Sequence, residues 1–141
     1  MKEILPYLLI LLVVILIRTF VVTPIKVNGN SMYDTLNGNE IMLLWRQKKI
    51  ERYDIIVADL IEDNKKIDTL IKRVYGLPGE TIKCENGNIY INDHKIDDPY
   101  AYGKTEDFAA VTLQEDEYFI LGDNREVSLD SHIFGPEKKE N

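Results

Sequence analysis

The apolar residues of this chain are concentrated in one long N-terminal run. From Ile4 to Val22 the sequence reads ILPYLLILLVVILIRTFVV, nineteen residues in which Arg18 is the single charged position. A helix of that length spans about 28 Å, close to the hydrocarbon thickness of a bilayer. Arg18 lies near one end, where its long side chain can reach the headgroup region. The pattern therefore predicts a membrane anchor over residues 1–23, with a transmembrane span of about 4–22.

Two other interpretations of the apolar run fit less well. A cleaved secretory signal needs a basic start and small residues at its cleavage site, whereas this chain begins Met-Lys-Glu and continues with bulky residues after Arg18. A buried core helix is uncommon for so long and even a run. Charge does not fix the orientation of the anchor, because Lys2 precedes the span and Arg18 and Lys26 lie at its other end.

After the anchor, short apolar runs separated by turn signals predict a mainly β domain over residues 24–141. Gly76-Leu77-Pro78-Gly79 is a strong turn signal, and Asn86-Gly87 between two apolar runs predicts a β-hairpin. No long amphipathic helical pattern follows the anchor. The charged segment 61–68 predicts a solvated loop, and the polar stretch 93–107 predicts irregular structure. The predicted strands are 41–45, 54–60, 69–75, 81–84, 89–91 and 118–121.

Charge and composition exclude several classes of function. The formal net charge is −7 and no basic cluster is interleaved with aromatic residues, so nucleic-acid binding has little support. Cys84 is the single cysteine, which leaves it no partner for an internal disulfide. The two histidines, His94 and His132, stand in unlike contexts, so a zinc site is not expected. We expect no metal and no cofactor.

Ser31 and Lys72 are the candidate reactive residues. A serine hydroxyl is a weak nucleophile unless a base removes its proton, and a lysine is such a base only where burial keeps it neutral. Ser31 follows a glycine-containing turn, and Lys72 has apolar Ile71 as its neighbour. Serine with lysine is a known variant of the catalytic triad. Each residue also has an ordinary interpretation, as a loop serine and as a solvated lysine on a strand edge.

A third segment, residues 121–131, favours the catalytic interpretation of Ser31 and Lys72 over the ordinary one. It follows a predicted apolar strand and carries many short hydrogen-bonding side chains. Such a density of polar groups suits an ordered network that orients a buried lysine. A polar surface loop is the alternative that spacing alone leaves open.

Four segments in this order behind an apolar anchor resemble the sequence boxes of bacterial type I signal peptidases, in particular their Gram-positive branch. The resemblance covers nearly the whole chain. The matching segments are Val27-Asn28-Gly29-Asn30-Ser31-Met32, Arg52-Tyr53-Asp54-Ile55-Ile56-Val57, Lys72-Arg73-Val74-Tyr75-Gly76-Leu77-Pro78-Gly79-Glu80, and Gly122-Asp123-Asn124-Arg125 with Ser128, Asp130-Ser131 and Gly135. The first of these boxes also includes Arg18-Thr19-Phe20, Pro24 and Thr35-Leu36.

The resemblance implies a fold, a location and an activity. The fold is an antiparallel β-sheet domain like that of signal peptidases and self-cleaving repressor proteases, with one N-terminal transmembrane helix. The protein would be a single-pass protein of the cytoplasmic membrane, with its catalytic domain on the extracytoplasmic side and close to the secretion translocon. Its partners would be the lipid bilayer and the signal peptides of exported preproteins. These it would cleave after small-x-small motifs, usually Ala-x-Ala.

The resemblance also implies roles for individual residues. Ser31 is the nucleophile, Lys72 is the general base, and Ser128 hydrogen-bonds the lysine. The Ser31 amide is a candidate donor to the oxyanion, and Gly29 stands where some relatives add a serine hydroxyl. The supporting charges are Arg73, Asp123 and Asp130. The walls of the substrate pocket are Ile25, Val27, Met32, Leu36, Leu70 and Ile71.

Three departures from the family pattern motivate other hypotheses. Asp34 stands where proline is usual, and His132 follows Asp130-Ser131 where arginine is usual, which gives Asp130 a weaker or titratable partner. The sequence also ends where relatives continue into a further hydrophobic strand, so it is either a shortened member of the family or a piece of a longer chain. If the last strand is missing from the domain over 24–141, we expect an unpaired sheet edge. A catalytically degenerate, membrane-tethered β module that binds extended peptides is the alternative. A third hypothesis is a specialised protease of the same superfamily, either a self-cleaving repressor or a pilus-processing enzyme. Self-cleaving repressors normally carry a DNA-binding domain, and none fits before Ser31.

Overall fold

The structure is a computed structural model that describes residues 4–45, 48–62 and 65–139. Its elements, in chain order, are α1 (Leu5–Phe20), β1 (Val22–Lys26), β2 (Ile41–Trp45), β3 (Ile55–Glu62), β4 (Lys65–Gly76), β5 (Thr81–Glu85), β6 (Asn88–Ile91), β7 (His94–Lys95), β8 (Phe108–Thr112), β9 (Glu117–Leu121), α2 (Ser131–Phe134) and β10 (Glu137–Lys138).

Most of the apolar run forms the helix α1. Pro6 occupies its first turn, where the missing N–H leaves no hydrogen bond unmade. The large apolar side chains from Ile4 to Ile17 are 45–72% exposed. At 16 residues α1 is about 24 Å long, and within the described ranges no helix is long and apolar enough to cross a membrane. Val22, the last residue of the run, begins β1, so the predicted span of 4–22 is not helical throughout.

Ten strands form three sheets in the described part of the chain, and every strand pair is antiparallel. A two-stranded ribbon joins β1 and β2. One four-stranded sheet has the order β10-β9-β4-β3, and the other has the order β7-β6-β5-β8. The mainly β, antiparallel fold is therefore confirmed. The twelve-residue β4 lies inside its sheet, and its second half is buried.

Two apolar clusters form the core of the described part of the chain. The first, here the large core, takes alternate residues of β5 and β6, as expected for strands with one buried face. The second, the small core, lies beside β1 and β3. The buried members of the large core are Tyr75, Ile82, Cys84, Ile89, Ile91, Leu113, Phe119 and Leu121. Those of the small core are Val27, Met32 and Ile71, with Ile25, Leu36, Met42, Ile55 and Val57 packed against them.

All six predicted strands are present, with bounds that shift by a few residues. The predicted hairpin is also confirmed, because Glu85 pairs with Asn88 across a two-residue turn. Asn86 and Gly87 both have positive φ angles, 53° and 76°. Such angles are what a type I′ turn requires, and the right-handed twist of the flanking strands favours that turn.

The prediction of a loop over residues 61–68 is wrong. β3 continues through Glu62 and β4 begins at Lys65, so the two strands form one long hairpin. Outside the sheet core these strands have two solvated faces, which removes the apolar alternation that marks a strand. Cross-strand polar contacts replace it, including a Lys66 Nζ to Asp59 Oδ1 distance of 2.7 Å. The sequence also failed to predict β1, which continues the apolar run, the strand β8 and the two-residue strands β7 and β10. β7 lies within the stretch 93–107, for which irregular structure was predicted.

Gly76 provides a test of the large core. It lies opposite Phe119 at an irregularity in the β4–β9 pairing. A Cβ atom there would come 2.6 Å from Leu113 Cδ1 and 2.8 Å from Phe119 Cβ. We therefore expect Gly76→Ala to lower the free energy of unfolding by about 1–3 kcal/mol through overpacking, measured by urea denaturation. Gly38→Ala is the matched control, since its nearest contact is 3.5 Å. Equal destabilisation by the two substitutions would contradict this account.

Candidate active site

Lys72 lies in the buried half of β4, where seven consecutive residues are shielded from solvent. It pairs with Ile56 of β3, and the whole residue is only 2% exposed. Burial lowers the pKa of its amine, and the negative charges of Asp130, Asp68 and Asp123 oppose that shift without cancelling it. Its amine forms no hydrogen bond or ion pair with any described residue. Lys72 is thus a buried amine that burial shifts towards its neutral form.

Ser31 is half-buried in the turn between β1 and β2. The turn is anchored by Met32, whose side chain enters the small core and whose carbonyl accepts a 2.8 Å hydrogen bond from the Leu36 amide. The Ser31 carbonyl accepts a 2.9 Å hydrogen bond from the Asn124 amide, in the segment that follows β9. This contact brings the predicted nucleophile to the predicted polar segment.

Gly122 fixes how closely the two segments approach. A Cβ atom at this position would lie 2.0 Å from Ser128 Oγ and 2.7 Å from the Ser31 carbonyl oxygen. Both atoms therefore occupy the space that any side chain would need. Gly122 directly follows Leu121, which pairs with Arg73, the neighbour of Lys72 on β4. The structure thus brings together the three segments that the sequence analysis selected.

The hydroxyl of Ser128 has no hydrogen-bond partner among the described residues, although its oxygen is buried. A buried hydroxyl without a partner carries a desolvation cost, so such groups call for an explanation. The hydroxyl of Ser31 and the amine of Lys72 also form no hydrogen bond with each other in the described chain. Catalytic hydrogen bonds are often long without substrate and tighten when substrate binds. The Ser31–Lys72 dyad stays a prediction.

Arg73 and Asp123 form a buried ion pair. Arg73 Nε and Nη2 lie 2.8 Å and 2.6 Å from the two carboxylate oxygens of Asp123, which is fully buried. Thr35 Oγ1 donates to the same carboxylate at 2.5 Å, and Arg73 also donates to the Tyr53 carbonyl at 2.8 Å. Its guanidinium lies 3.7 Å from the centre of the Tyr100 ring. The pair therefore ties β4, the Ser31 turn and the segment after β9 together.

A second buried ion pair was missed by the sequence analysis. Arg125 donates through Nη1 to Asp98 at 2.6 Å, and through the same nitrogen to Thr105. Its Nε donates to the Gly122 carbonyl at 2.9 Å. Asp98 also accepts a hydrogen bond from the Tyr75 hydroxyl at 2.5 Å. Arg125 stands in the fourth sequence box, but Asp98 lies in a stretch without a pattern, so no sequence signal identified the partner.

Asp130 holds the end of the polar segment. Its carboxylate is fully buried and accepts the Gly122 amide at 2.8 Å through Oδ2. Its Oδ1 caps α2 by accepting the His132 amide at 3.3 Å, and the Nδ1 of the same histidine lies 2.5 Å away. The Ser131 hydroxyl accepts the Ile120 amide at 3.0 Å. His132, which stands where the family usually has arginine, therefore contacts the Asp130 carboxylate directly.

Five of the six predicted pocket residues meet in the small core. Val27, Met32 and Ile71 are its buried members, and Ile25 and Leu36 pack against them. The sixth, Leu70, is buried but belongs to neither cluster. Alternation along β4 places it on the same face as Lys72. Met42, Ile55 and Val57 also join the small core, and the sequence analysis did not single them out.

Substitution of Asp123 tests whether its ion pair with Arg73 stabilises the fold. Asp123→Ala leaves the Arg73 guanidinium buried without its carboxylate, so we expect the free energy of unfolding to fall by about 3–5 kcal/mol, measured by urea denaturation. Asp59→Ala is the control, because it breaks the more exposed pair with Lys66 and should cost about 1 kcal/mol or less. A loss at Asp123 no larger than that at Asp59 would show that the buried pair does not hold the segments together.

Comparisons with known proteins identify the family of this chain. Residues 1–141 match the model of the family described as signal peptidase, peptidase S26. Signal peptidase I S of Bacillus subtilis (strain 168) is 35% identical over 130 residues, which cover 83% of this chain and 70% of the relative. Signal peptidase I of Streptococcus pneumoniae (strain ATCC BAA-334 / TIGR4) is 32% identical over 170 residues, covering 92% and 82% respectively.

A solved structure extends the likeness to the fold. The crystal structure of a signal peptidase I from Enterococcus faecalis V583 is 34% identical to this chain, with a TM-score of 0.55. The match covers 64% of this chain and 91% of that one. Together with the family match along the whole sequence, it confirms the resemblance that the four sequence boxes predicted. This chain belongs to the signal peptidase family, peptidase S26.

Proposed function

We propose that this protein is a membrane-bound serine endopeptidase that removes N-terminal signal peptides from secreted preproteins after small-x-small motifs such as Ala-x-Ala. Ser31 is the nucleophile and Lys72 is the general base. The observation that carries the proposal is the buried amine of Lys72. It has no carboxylate partner among the described residues and lies on the strand beside the segment that contacts Ser31.

The electrostatics of Lys72 suit a base. An exposed lysine is protonated at neutral pH and has no lone pair with which to accept a proton. Desolvation is the largest influence on Lys72 and lowers its pKa, while Asp130 is the first of the carboxylates that act against it. The net lowering increases the neutral fraction at working pH, as a general base requires.

The reaction proceeds as acyl transfer. Neutral Lys72 Nζ takes the proton of Ser31 Oγ while Oγ forms a bond to the scissile carbonyl carbon, which gives a tetrahedral oxyanion. Collapse of this species breaks the C–N bond, and the protonated lysine gives its proton to the departing amine of the mature protein. Water then attacks the acyl-enzyme with Lys72 again as base, which releases the signal peptide and restores the Ser31 hydroxyl.

Two groups beside the dyad complete the site. The Ser31 amide has no acceptor among the described residues, so it is free to donate to the oxyanion. Gly29 supplies no side-chain donor. Ser128 is buried with an unused hydroxyl that contacts Gly122, and we assign it the hydrogen bond that orients the Lys72 amine. Arg73, Asp123 and Asp130 act through the positions of these groups.

The small core accounts for a preference for small side chains. Val27, Met32 and Ile71 are already packed against one another, which leaves little depth for a substrate side chain. Ile25 and Leu36 remain partly open and offer apolar walls of a size that suits alanine. Leu70 lies on the face of Lys72 and completes the set. A substrate in extended conformation would bind alongside these segments by strand addition.

The helix α1 is the proposed anchor. Its large side chains from Leu5 to Ile17 are apolar on every face and exposed, and Arg18 lies in its last turn. Such a helix needs an apolar surrounding. We assign residues 1–23 to the anchor and residues 24–141 to a catalytic domain on the extracytoplasmic side of the cytoplasmic membrane, near the translocon. A signal peptide embedded in the same bilayer then meets the site at a high effective concentration.

A non-catalytic peptide-binding module is the second candidate function. It is favoured by the lack of a hydrogen bond between Ser31 and Lys72 in the described chain, together with the departures at Asp34 and His132. In that case the intact protein would bind a signal-peptide analogue without cleaving it. Turnover by the intact protein separates the two functions.

Substitution of the dyad tests the mechanism. We expect Ser31→Ala and Lys72→Met each to reduce kcat/KM for a peptide with an Ala-x-Ala site by roughly 10³-fold or more, because each removes a group that acts in bond formation. Cleavage is measured on the full chain in detergent micelles. Lys95→Met, at an exposed lysine on β7, is the control and should retain full activity. Retained activity in either dyad variant would refute the mechanism.

Lys72→Met also separates catalysis from folding. The unfolded chain keeps a proton on this lysine up to its ordinary pKa, whereas the folded chain releases it at lower pH. Between the two values the unfolded state binds more protons, so the stability of the unsubstituted protein rises with pH. We expect Lys72→Met to lose this slope and to be at least as stable at neutral pH, measured as urea midpoints against pH. An unchanged slope would mean that Lys72 is not buried as a neutral amine.

A further inference from the structure

His132 is placed between two carboxylates at the start of α2. Its Nδ1 lies 2.5 Å from Asp130 Oδ1, and its Nε2 lies 3.9 Å from Glu106 Oε2. The imidazole is 15% exposed, whereas Asp130 is fully buried. An ionised carboxylate only accepts hydrogen bonds, so Nδ1 carries a proton in both charge states of the ring. The other ring nitrogen, Nε2, faces Glu106, so the ring stands between the two carboxylates while Nδ1 keeps its contact with Asp130.

Asp130 connects His132 to the backbone that holds Ser31. While Oδ1 faces the imidazole, Oδ2 accepts the Gly122 amide at 2.8 Å. Gly122 in turn lies against Ser128 Oγ and the Ser31 carbonyl with no room for a side chain. A displacement of the Asp130 carboxylate therefore moves the Gly122 backbone, against which both Ser31 and Ser128 are packed.

Asp130 also connects His132 to Lys72 electrostatically. Its negative charge acts on the pKa of Lys72 more strongly than the charge of Asp68 or Asp123 does. The charged groups that interact with Asp130 are Lys72 from β4, Arg125 from the segment after β9 and the ring of His132, with Glu106 beyond the imidazole. Lys72 also feels the charges of Asp68 and Asp123. A positive imidazole offsets part of the field of Asp130, so it makes the protonated form of Lys72 less favourable.

We propose, on the basis of the proposed function, that His132 is a positioning residue that holds Asp130 against the Gly122 amide and that the charge of its imidazole acts on Lys72 through the same carboxylate. His132 and Lys72 then share one carboxylate, so a charge on residue 132 acts on the amine of Lys72. A positive charge at position 132 favours the neutral, reactive form of the lysine, and an uncharged group there favours its protonated form.

Two substitutions separate the charge of residue 132 from its contact with Asp130. His132→Arg gives a permanent positive charge, and His132→Gln keeps a hydrogen-bond donor without charge. We expect the acidic limb of the kcat/KM profile to lie roughly half a pH unit to one pH unit lower for His132→Arg than for His132→Gln. The effect should fall on kcat more than on KM, because the base and not the peptide is altered. The full chain in detergent micelles and an Ala-x-Ala peptide are used.

His94→Gln is the matched control. His94 is exposed on β7, and among the described residues its Nδ1 contacts only the Asn92 carbonyl, at 2.8 Å. Its pH profile should superimpose on that of the unsubstituted protein. If His132 had a purely structural role, both substitutions at 132 would lower the melting temperature and reduce kcat by the same factor at every pH, which would overturn the proposal. Should His132→Arg fail to fold, His132→Lys supplies the positive charge with a smaller head group.

A titration without turnover distinguishes this inference from the proposed function. In a Ser31→Ala background, the ¹³Cε resonance of Lys72, identified by its loss in Lys72→Met, is followed against pH in the two 132 variants. A lower midpoint with arginine than with glutamine supports the coupling, and equal midpoints overturn it even where Ser31 and Lys72 are catalytic. If Ser31→Ala retained cleavage, the proposed function would fail while this titration still decided the coupling.

Discussion

Gly122 is held at both ends of its backbone, and the geometry of the candidate site depends on that restraint. Its amide donates to Asp130 at 2.8 Å, and its carbonyl accepts from Arg125 at 2.9 Å. The space where a side chain would be is filled by Ser128 Oγ and the Ser31 carbonyl. Contact with the Gly122 backbone therefore sets the position of Ser31, because main-chain atoms can shift less than side chains can. The buried polar groups around Gly122 are arranged so that this single residue is fixed from several directions.

The buried cationic side chains near Gly122 differ in whether they are paired with a carboxylate. Arg73 and Arg125 are each paired with a carboxylate, Asp123 and Asp98, that lies 50 and 27 residues away in the chain. Such pairs contribute little net stability, because desolvation offsets their attraction, but they fix which segments meet. Lys72 is equally buried and has no ion-pair partner among the described residues. An unpaired buried amine lowers stability, and neutralisation is the way to reduce that cost. The property that weakens the fold here is the one that suits a base.

Local signals in the sequence were sufficient for part of this architecture. Apolar runs identified six strands and Asn86-Gly87 identified a hairpin turn, because each depends on residues a few positions apart. The described residues at the end of the β3–β4 hairpin, 61 and 65–68, are exposed, so their sequence carries no apolar alternation and predicted a loop. The site segments were selected by the chemistry of serine, lysine and a polar segment, and the resemblance to a family then assigned their roles. The partner of Arg125 was not found, since Asp98 meets it through tertiary folding and no spacing rule connects the two.

The register of β4 determines which of its two neighbouring basic residues, Lys72 or Arg73, is paired with a carboxylate. Lys72 and Arg73 are adjacent on β4, so alternation sends their side chains to opposite faces. The register is fixed by the pairing of Lys72 with Ile56 on one side and of Arg73 with Leu121 on the other. A slip of one residue would exchange the faces. The arginine would then lie where the amine now does, and it could not lose a proton at working pH. The lysine would face Asp123, whose charge would keep it protonated. The proposed chemistry of Lys72 therefore follows from the register of β4 as much as from the residue type.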